Sequence, residues 1–358
     1  MKRIAIELFA GCGGLSAGLE KAGFKVISAV EINPVAAKSY ELNHPDVSIH
    51  ISDVSSIHAE DFRKDVGENV EIDLLAGCSP CQGFSRLRKG EDALNDPRNQ
   101  LVLQYLRLVK ELRPKTILME NVPGLIKSEQ GKEVFQKVQR KLKRLGYTVS
   151  FRIVDAADYG VPQFRKRFVL LGTRIGKNEI GIPDPVYGNP DKYDKELQPW
   201  KTVRETIGSL PALENGGRDE KYPLHRCSRN GTMNLKRIKA IPHNGGSRTE
   251  LPPELILECH KRYPNGYRDV YGRMSWDKPS PTITSGCTNI TRGRFIHPEQ
   301  DRGISLLEAA MLQTFDSDYH FSGNSEQIAL QIGNAVPVKL GEVMGKRLIE
   351  YLEQYDPS

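Results

Sequence analysis

Two groups of residues in this sequence can do covalent or ligand-binding chemistry. The first is the string Gly77-Cys78-Ser79-Pro80-Cys81-Gln82-Gly83. Its Cys-x-x-Cys spacing admits three readings. A thiol redox pair is one, with proline where redox motifs often place it. Half of a zinc site is another, but zinc needs two more closely spaced ligands. Cys12, Cys227, Cys259 and Cys287 are scattered, although His225 and His260 lie near two of them, and no metal is expected. The third reading is a single nucleophilic cysteine on a proline-bounded loop after a strand. Such a nucleophile needs helpers. Glu120 closes an apolar run far away in sequence, and strand ends on one side of a parallel sheet share a crevice, so Glu120 can donate a proton beside Cys81. The plain alternative is a capping or salt-bridged glutamate. Gln163, Arg165 and Arg167 alternate just before an apolar strand, so they are expected on one non-core face. There they would hold a carbonyl or phosphate, or simply meet solvent.

The second group is a glycine-rich turn, Gly11-Cys12-Gly13-Gly14, after the apolar run Ile4-Ala5-Ile6-Glu7-Leu8. Gly11 and Gly13 fit the start of a dinucleotide fingerprint, but Ser16 stands where its third glycine would be, which weakens an NAD reading. An adenosine-type site remains. Glu31 follows Gly11 by 20 residues and can accept both ribose hydroxyls, while Asp53 can accept from an adenine amino group. The alternative is a structural turn with surface acids. Three successive strand ends carrying this set favour the ligand.

These residues require a scaffold of alternating strands and helices. Strands are expected at Ile4–Leu8, Lys25–Ile32, Val47–Asp53, Val70–Ala76, Thr116–Glu120 and Phe168–Leu171. Helices are expected at Leu15–Ala22, from Asn33-Pro34, at Gln100–Leu112, Lys132–Leu145, Ser305–Gln313 and Pro337–Tyr351. This rhythm predicts a mainly parallel sheet covered on both faces. From about Ile182 the texture changes to a proline- and glycine-rich, weakly periodic module inserted into that body. The net charge of +6 is concentrated there. Between Lys221 and Arg294, 14 Lys/Arg against 5 Asp/Glu give +9, leaving −3 for the remainder. A polyanionic partner or a solvated basic surface both account for such a block.

Composition narrows the class. The chain has 358 residues, 38% hydrophobic and 27% charged, which is ordinary for a soluble fold with a real core. No run of about 18 apolar residues suggests a membrane span. The segment after Met1 turns acidic too soon for a signal peptide. Six cysteines in this length read as free thiols of a cytoplasmic protein.

Taken in order, several blocks resemble the DNA (cytosine-5) methyltransferases of prokaryotic, restriction-modification type. They are Phe9-Ala10-Gly11-Cys12-Gly13-Gly14, Glu31, Asp53, Pro80-Cys81, Glu120-Asn121-Val122, Gln163-Phe164-Arg165-Lys166-Arg167 and Gly333-Asn334-Ala335-Val336-Pro337. The resemblance spans almost the whole chain. It implies an α/β, Rossmann-like, S-adenosylmethionine-dependent domain at 1–182 and 324–358. A smaller, loop-rich target-recognition domain with its hinge would occupy 183–323. It implies that a cytosine is flipped out of a specific duplex sequence and that the Cys81 thiolate adds to carbon 6. Glu120 would hold ring nitrogen 3 and the amino group. Arg165 and Arg167 would steady the base carbonyl and the Cys81 loop. Carbon 5 then takes the methyl group, S-adenosylhomocysteine is the by-product, and Cys81 is expelled.

Cofactor roles follow from the same resemblance. Phe9 would stack near the adenine and Ala10, Gly11, Gly13 and Gly14 would form the turn. Glu31 and Ile32 would hold the nucleoside, with Asp53 and Val54 beside the adenine. Pro80, Leu101, Asn334 and Ala335 would complete the walls. Asp96-Pro97-Arg98-Asn99 resembles the block ending the mobile catalytic loop, which would run from Gln82 to Asn95 and close over DNA. The implied partners are double-stranded DNA and a cognate restriction endonuclease acting on the same site, with the enzyme itself a monomer. One departure concerns bracing of the target region: Leu307 and Met311 stand where the family often has arginines. Three rivals are weighed. The same chemistry on transfer RNA usually goes with a shorter target region. A dead DNA-binding regulator would have lost Cys81 or Glu120. A Cys78/Cys81 oxidoreductase would depend on both thiols.

Overall fold

A computed structural model describes residues 3–79, 97–189, 196–263, 266 and 268–357. The strands of its main sheet are β1 (Arg3–Leu8), β2 (Phe24–Glu31), β3 (Ser48–Ile51), β4 (Leu74–Gly77), β5 (Thr116–Asn121), β6 (Thr148–Asp155) and β7 (Lys166–Thr173). The helices are α1 (Gly14–Ala22), α2 (Pro34–Asn43), α3 (Ala59–Val66), α4 (Pro97–Leu112), α5 (Gly124–Lys127), α6 (Glu129–Arg144), α7 (Val203–Ile207), α8 (Thr232–Ala240), α9 (Glu258–Arg262), α10 (Leu306–Leu312), α11 (Ser325–Asn334) and α12 (Val338–Tyr355). Two compact units are present: residues 1–155, 166–185 and 336–358 in the first, and 156–165 with 186–335 in the second.

The first unit is built on a seven-stranded sheet in the order β3-β2-β1-β4-β5-β7-β6. The fully apolar runs of β4 and the interior of β5 bury both faces, as a central parallel strand requires. Strands β1 to β5 pair in parallel. The order reverses between β1 and β4, so the crevice outside the carboxyl ends of those strands is a topological switch point. Expectation and structure differ at the far edge. There β7 runs antiparallel to both β5 and β6, and β6, whose alternation is half polar, was not anticipated. The fourth strand is also shorter than expected, beginning at Leu74, and just before it the Asp73 carboxylate accepts from the Ile4 amide at 2.8 Å.

Helix α12 returns to lie on α1. A side chain at Gly18 would come within 2.4 Å of the Val338 carbonyl, and one at Gly345 within 2.7 Å of the Ala22 Cβ. Glycine there permits near-contact of two backbones and fixes the floor of the glycine-rich turn. The start of β1 is clasped as well. Arg3 and Lys115 both reach Asp73 and Asp356, with the Lys115–Asp356 pair at 2.7 Å. Burial alone would lower the Lys115 pKa, but hydrogen bonds to Asp356 and Asp73 override it and raise it.

The second unit has few strands, as its sequence texture predicts. A small apolar core of Ile238, Ile241, Leu251, Tyr271, Ile290 and Ile296 holds part of it. Its other support is polar. Fully buried Arg273 donates to the carbonyls of Ile238, Ile241, His297 and Gln300. Fully buried Arg302 grips Glu308 through both nitrogens, at 2.7 and 2.8 Å. With Leu307 buried on α10, Arg302 from the preceding loop supplies the guanidinium that this helix does not carry.

Candidate functional site

The carboxyl ends of β1, β2 and β3 carry one cluster. After Leu8 the chain turns sharply, with left-handed φ values at Phe9 (59°), Gly11 (57°) and Gly13 (93°). Gly13 then caps α1. Among the described residues nothing lies within 4 Å of where a Cβ on Gly11 would sit, so the turn presents bare backbone. Glu31, the last residue of β2, ties this turn to the next helix. It accepts from the Gly11 amide and from the Asn33 amide, each at 2.8 Å. Ile32 beside it is 62% exposed. Asp53 accepts from the Ser55 amide at 2.7 Å, and that bond holds its carboxyl below the usual range. Val54 is buried beneath it. A left-handed glycine turn, an exposed apolar side chain and two carboxyl side chains at strand ends fit a nucleoside-bearing ligand.

Sequence reasoning missed the layer beneath. Glu7 is buried at the end of β1 and accepts from the Ser16 hydroxyl, which also bonds to the Tyr40 hydroxyl at 2.7 Å. Burial pushes the Glu7 carboxyl up to about 8. A lone acid in an otherwise apolar strand was the available signal.

The second cluster joins β4 to β5. Glu120, 3% exposed, receives the Cys78 thiol at 2.6 Å on one oxygen. Its other oxygen meets Arg167 Nε at 2.8 Å. Asn121 next to it donates to both the carbonyl and the hydroxyl of Ser79, each at 3.2 Å. The residues just before Pro80-Cys81 are thus fastened to the end of β5. Pro80 and Cys81 themselves, the loop 82–95 and Asp96 lie outside the described residues, as do the side chains of 97–99. Cys78 was noted in the sequence only for the redox reading; its pairing with Glu120 is invisible there because the two are 42 positions apart. Leu101 is partly exposed on α4.

Gln163 and Arg165 lie side by side, Arg165 Nη1 donating to Gln163 Oε1 at 3.5 Å, but they are buried and not on a non-core face. Gln163 (0% exposed) and Arg165 (2%) are buried in the second unit, whereas Arg167 lies in β7 of the first. Arg165 donates to the carbonyls of Ile283 at 2.8 Å and of Gly333 and Ala335 at 3.0 Å. Gln163 accepts from the Ile283 amide and donates to the Gln313 side chain, each at 2.9 Å. Buried backbone carbonyls need donors, and here arginine supplies them in place of a strand ladder. Asn334 and Ala335 stand at the end of α11 in the same unit.

The sequence pattern of the C-5 cytosine-specific DNA methylases matches residues 4–350. The chain is 41% identical over 354 residues to the type II methylase M.HgiDII of Herpetosiphon aurantiacus, covering 97% of this chain and 95% of that protein. It is 33% identical over 346 residues to the type II methyltransferase M1.HphI of Haemophilus parahaemolyticus, covering 96% and 86%. Among solved structures, a prophage-encoded E. coli protein is similar with a TM-score of 0.70 at 28% identity, covering 98% of this chain and 99% of that one. The S. pombe Dnmt2 methyltransferase shares the fold with a TM-score of 0.63 at 20% identity, covering 98% and 99%.

Proposed function

Because the chain belongs to the C-5 cytosine-specific DNA methylase family, we propose that its two clusters serve one reaction, methylation of carbon 5 of cytosine in double-stranded DNA. The observation that carries this reading is Glu120, buried, held by Arg167 and touching Cys78, three residues before Cys81. Cytosine is a poor electrophile. Glu120 lends a proton to ring nitrogen 3, the Cys81 thiolate adds to carbon 6, and electron density moves to carbon 5. Arg167 keeps the Glu120 carboxyl aimed. Asn121 keeps Ser79, and through it the Cys81 segment, at the end of β5. After loss of the carbon-5 proton the Cys81 bond breaks and restores the aromatic ring. Adding and expelling Cys81 replaces one difficult substitution by two easier steps.

S-adenosylmethionine, when bound, supplies the electrophilic methyl group and leaves as S-adenosylhomocysteine. Phe9, Ala10, Gly11, Gly13 and Gly14 would cradle it. Glu31 would take the ribose hydroxyls, Ile32 and Val54 would flank the base, and Asp53 would accept from the adenine amino group. Pro80, Leu101, Asn334 and Ala335 would complete its walls. Arg165 acts on this site indirectly, by holding the backbone at Gly333 and Ala335. Residues 183–323 would form the target-recognition module with its hinge. Named type II relatives favour DNA over transfer RNA, and a partner endonuclease acting on the same sequence would accompany the enzyme in the cytoplasm.

The test is conversion sequencing of plasmid from cells expressing the protein, beside transfer of labelled methyl to duplex DNA and to transfer RNA. Methylcytosine at one short recurring sequence is expected. Label in transfer RNA alone would overturn the assignment.

A further inference from the structure

Within the second unit a cleft of about 630 Å³ opens between two segments, its walls including Cys259, His260, Tyr271, Thr284, Ser285 and Arg292. Among the described residues no carboxylate lines it. The nearest acids along the chain are already paired, Glu258 with Lys261 at 2.7 Å and Asp269 with Arg294 at 3.4 Å. Burial, together with Arg248 and Arg237, holds His260 below its usual pKa, so at neutral pH it offers one donor and one acceptor rather than a charge.

Arg292 is the one cation on the walls. It is exposed, and among the described residues no acid pairs with it. Its stem lies across Gly286, where a Cβ would come within 2.4 Å of the arginine Cδ. The absence of a side chain at Gly286 is what lets Arg292 lie in the cleft. The segment beneath it is rigid. Cys287 donates to the Thr284 carbonyl at 3.0 Å, and Asn289 to that of Gly286 at 2.9 Å. Gly333 packs so tightly against this segment that a Cβ there would stand 2.2 Å from the Ser285 nitrogen. Arg165 and Gln163 hold Ile283 just before it. An unpaired arginine fork with neutral hydrogen-bonding neighbours, in a region of net charge +9, matches the edge of guanine in the major groove, which presents two acceptors side by side. A phosphate contact would need neither the concavity nor the brace.

We propose that this cleft reads the recognised sequence, with Arg292 donating two hydrogen bonds to O6 and N7 of one guanine in it. The inference rests on the DNA-methylating reading above. The experiment replaces each guanine of the recognised sequence in turn by 7-deazaguanine, which lacks the N7 acceptor. Initial rates and competition binding are then compared for the wild-type enzyme, Arg292→Ala and Gly286→Ala. The wild-type enzyme should lose about 10- to 100-fold in rate or affinity at one guanine. Both variants should be insensitive to replacement at that same guanine. If the wild-type enzyme is indifferent to 7-deazaguanine at every position, or if Arg292→Ala weakens all duplexes equally and keeps the wild-type sensitivity, base reading by Arg292 is wrong. Uniform weakening with a shallower salt dependence would make Arg292 a phosphate contact instead. A wild-type protein that methylates no DNA would overturn the parent reading and this one together, and is told apart by the first assay alone.

Discussion

Arg167 holds Glu120 across the antiparallel pair of β5 and β7, Nε to Oε1 at 2.8 Å. In the ladder Glu120 faces Val169, so Arg167 is its diagonal neighbour on the same face of the sheet, within reach of a long side chain. Replacing Arg167 by Ala removes the guanidinium that aims Glu120. The expected result is a fall in kcat of about 10²-fold or more with cofactor affinity unchanged, in line with losing one preorganised polar contact. Steady-state rates alongside a cofactor titration check this; an unaltered kcat would mean Glu120 orients itself without Arg167.

Glu120→Gln keeps the shape of the side chain but not its exchangeable acid proton. Turnover should fall by about 10²- to 10⁴-fold, the usual contribution of a positioned general acid. Cys81→Ala should abolish turnover while leaving duplex binding. Cys78→Ala should cost far less than either, since its thiol bonds to Glu120 and takes no part in the covalent step. Comparable losses for Cys78 and Cys81 would revive the thiol-redox reading.

Glu31→Ala frees the Gly11 and Asn33 amides at once. Cofactor affinity should drop by about 10- to 100-fold, the scale of one or two lost charge-assisted hydrogen bonds. Calorimetric titration with S-adenosylhomocysteine measures it. Wild-type affinity in the variant would remove Glu31 from the binding site.

Glu7 makes stability depend on pH in an unusual direction. Its folded-state value is raised to about 8, whereas an unfolded glutamate titrates near ~4.3. Between these values the folded chain retains a proton that the unfolded chain has released. Stability therefore declines as pH rises through that window and levels off above it. Glu7→Gln should flatten the decline, visible as a smaller drop in Tm between pH 5 and pH 8.5 than in the parent (on the order of a few degrees). Parallel curves for the two proteins would contradict a neutral Glu7.

Glu308 behaves in the opposite sense. Burial pushes its pKa up, but the paired Arg302 outweighs that and holds the carboxyl below the usual range. Its contribution is present above the unfolded value and is lost as pH falls. Arg302→Ala leaves a buried, unpaired carboxylate and should cost about 3–5 kcal/mol. Both tryptophans, Trp200 and Trp276, lie in the second unit, so their fluorescence in urea reports this loss directly. A variant with an unshifted midpoint would show that the pair is dispensable.

Much of the first unit was legible from the sequence because its signals are local. The glycine turn, Glu31, Asp53 and Glu120 each follow a run that ends where a strand ends. The unread parts depend on contacts between distant positions. Alternation at Gln163, Arg165 and Arg167 predicts one non-core face, yet Gln163 and Arg165 are buried. The first two side chains serve buried carbonyls that a sequence pattern does not reveal. Strand β6 carries the period-2 alternation of an edge strand, Val149, Phe151 and Ile153 against Thr148, Ser150 and Arg152, and lies outside the expected set. Glu7 passed as an ordinary strand-end acid because Ser16 and Tyr40 reach it only in the folded chain.

The reversal of β7 changes which residues a sheet can bring to its working rim. In a wholly parallel sheet only the finishing residues of strands arrive there, and the opening residues face the far side. A strand laid the other way delivers its first turn of chain to the same rim. Arg167, the second residue of β7, thereby meets Glu120, the fifth of the six residues in β5. A single inverted strand thus enlarges the repertoire of positions from which a reactive centre can be assembled, and places a cation beside an acid that the remaining strands supply without one.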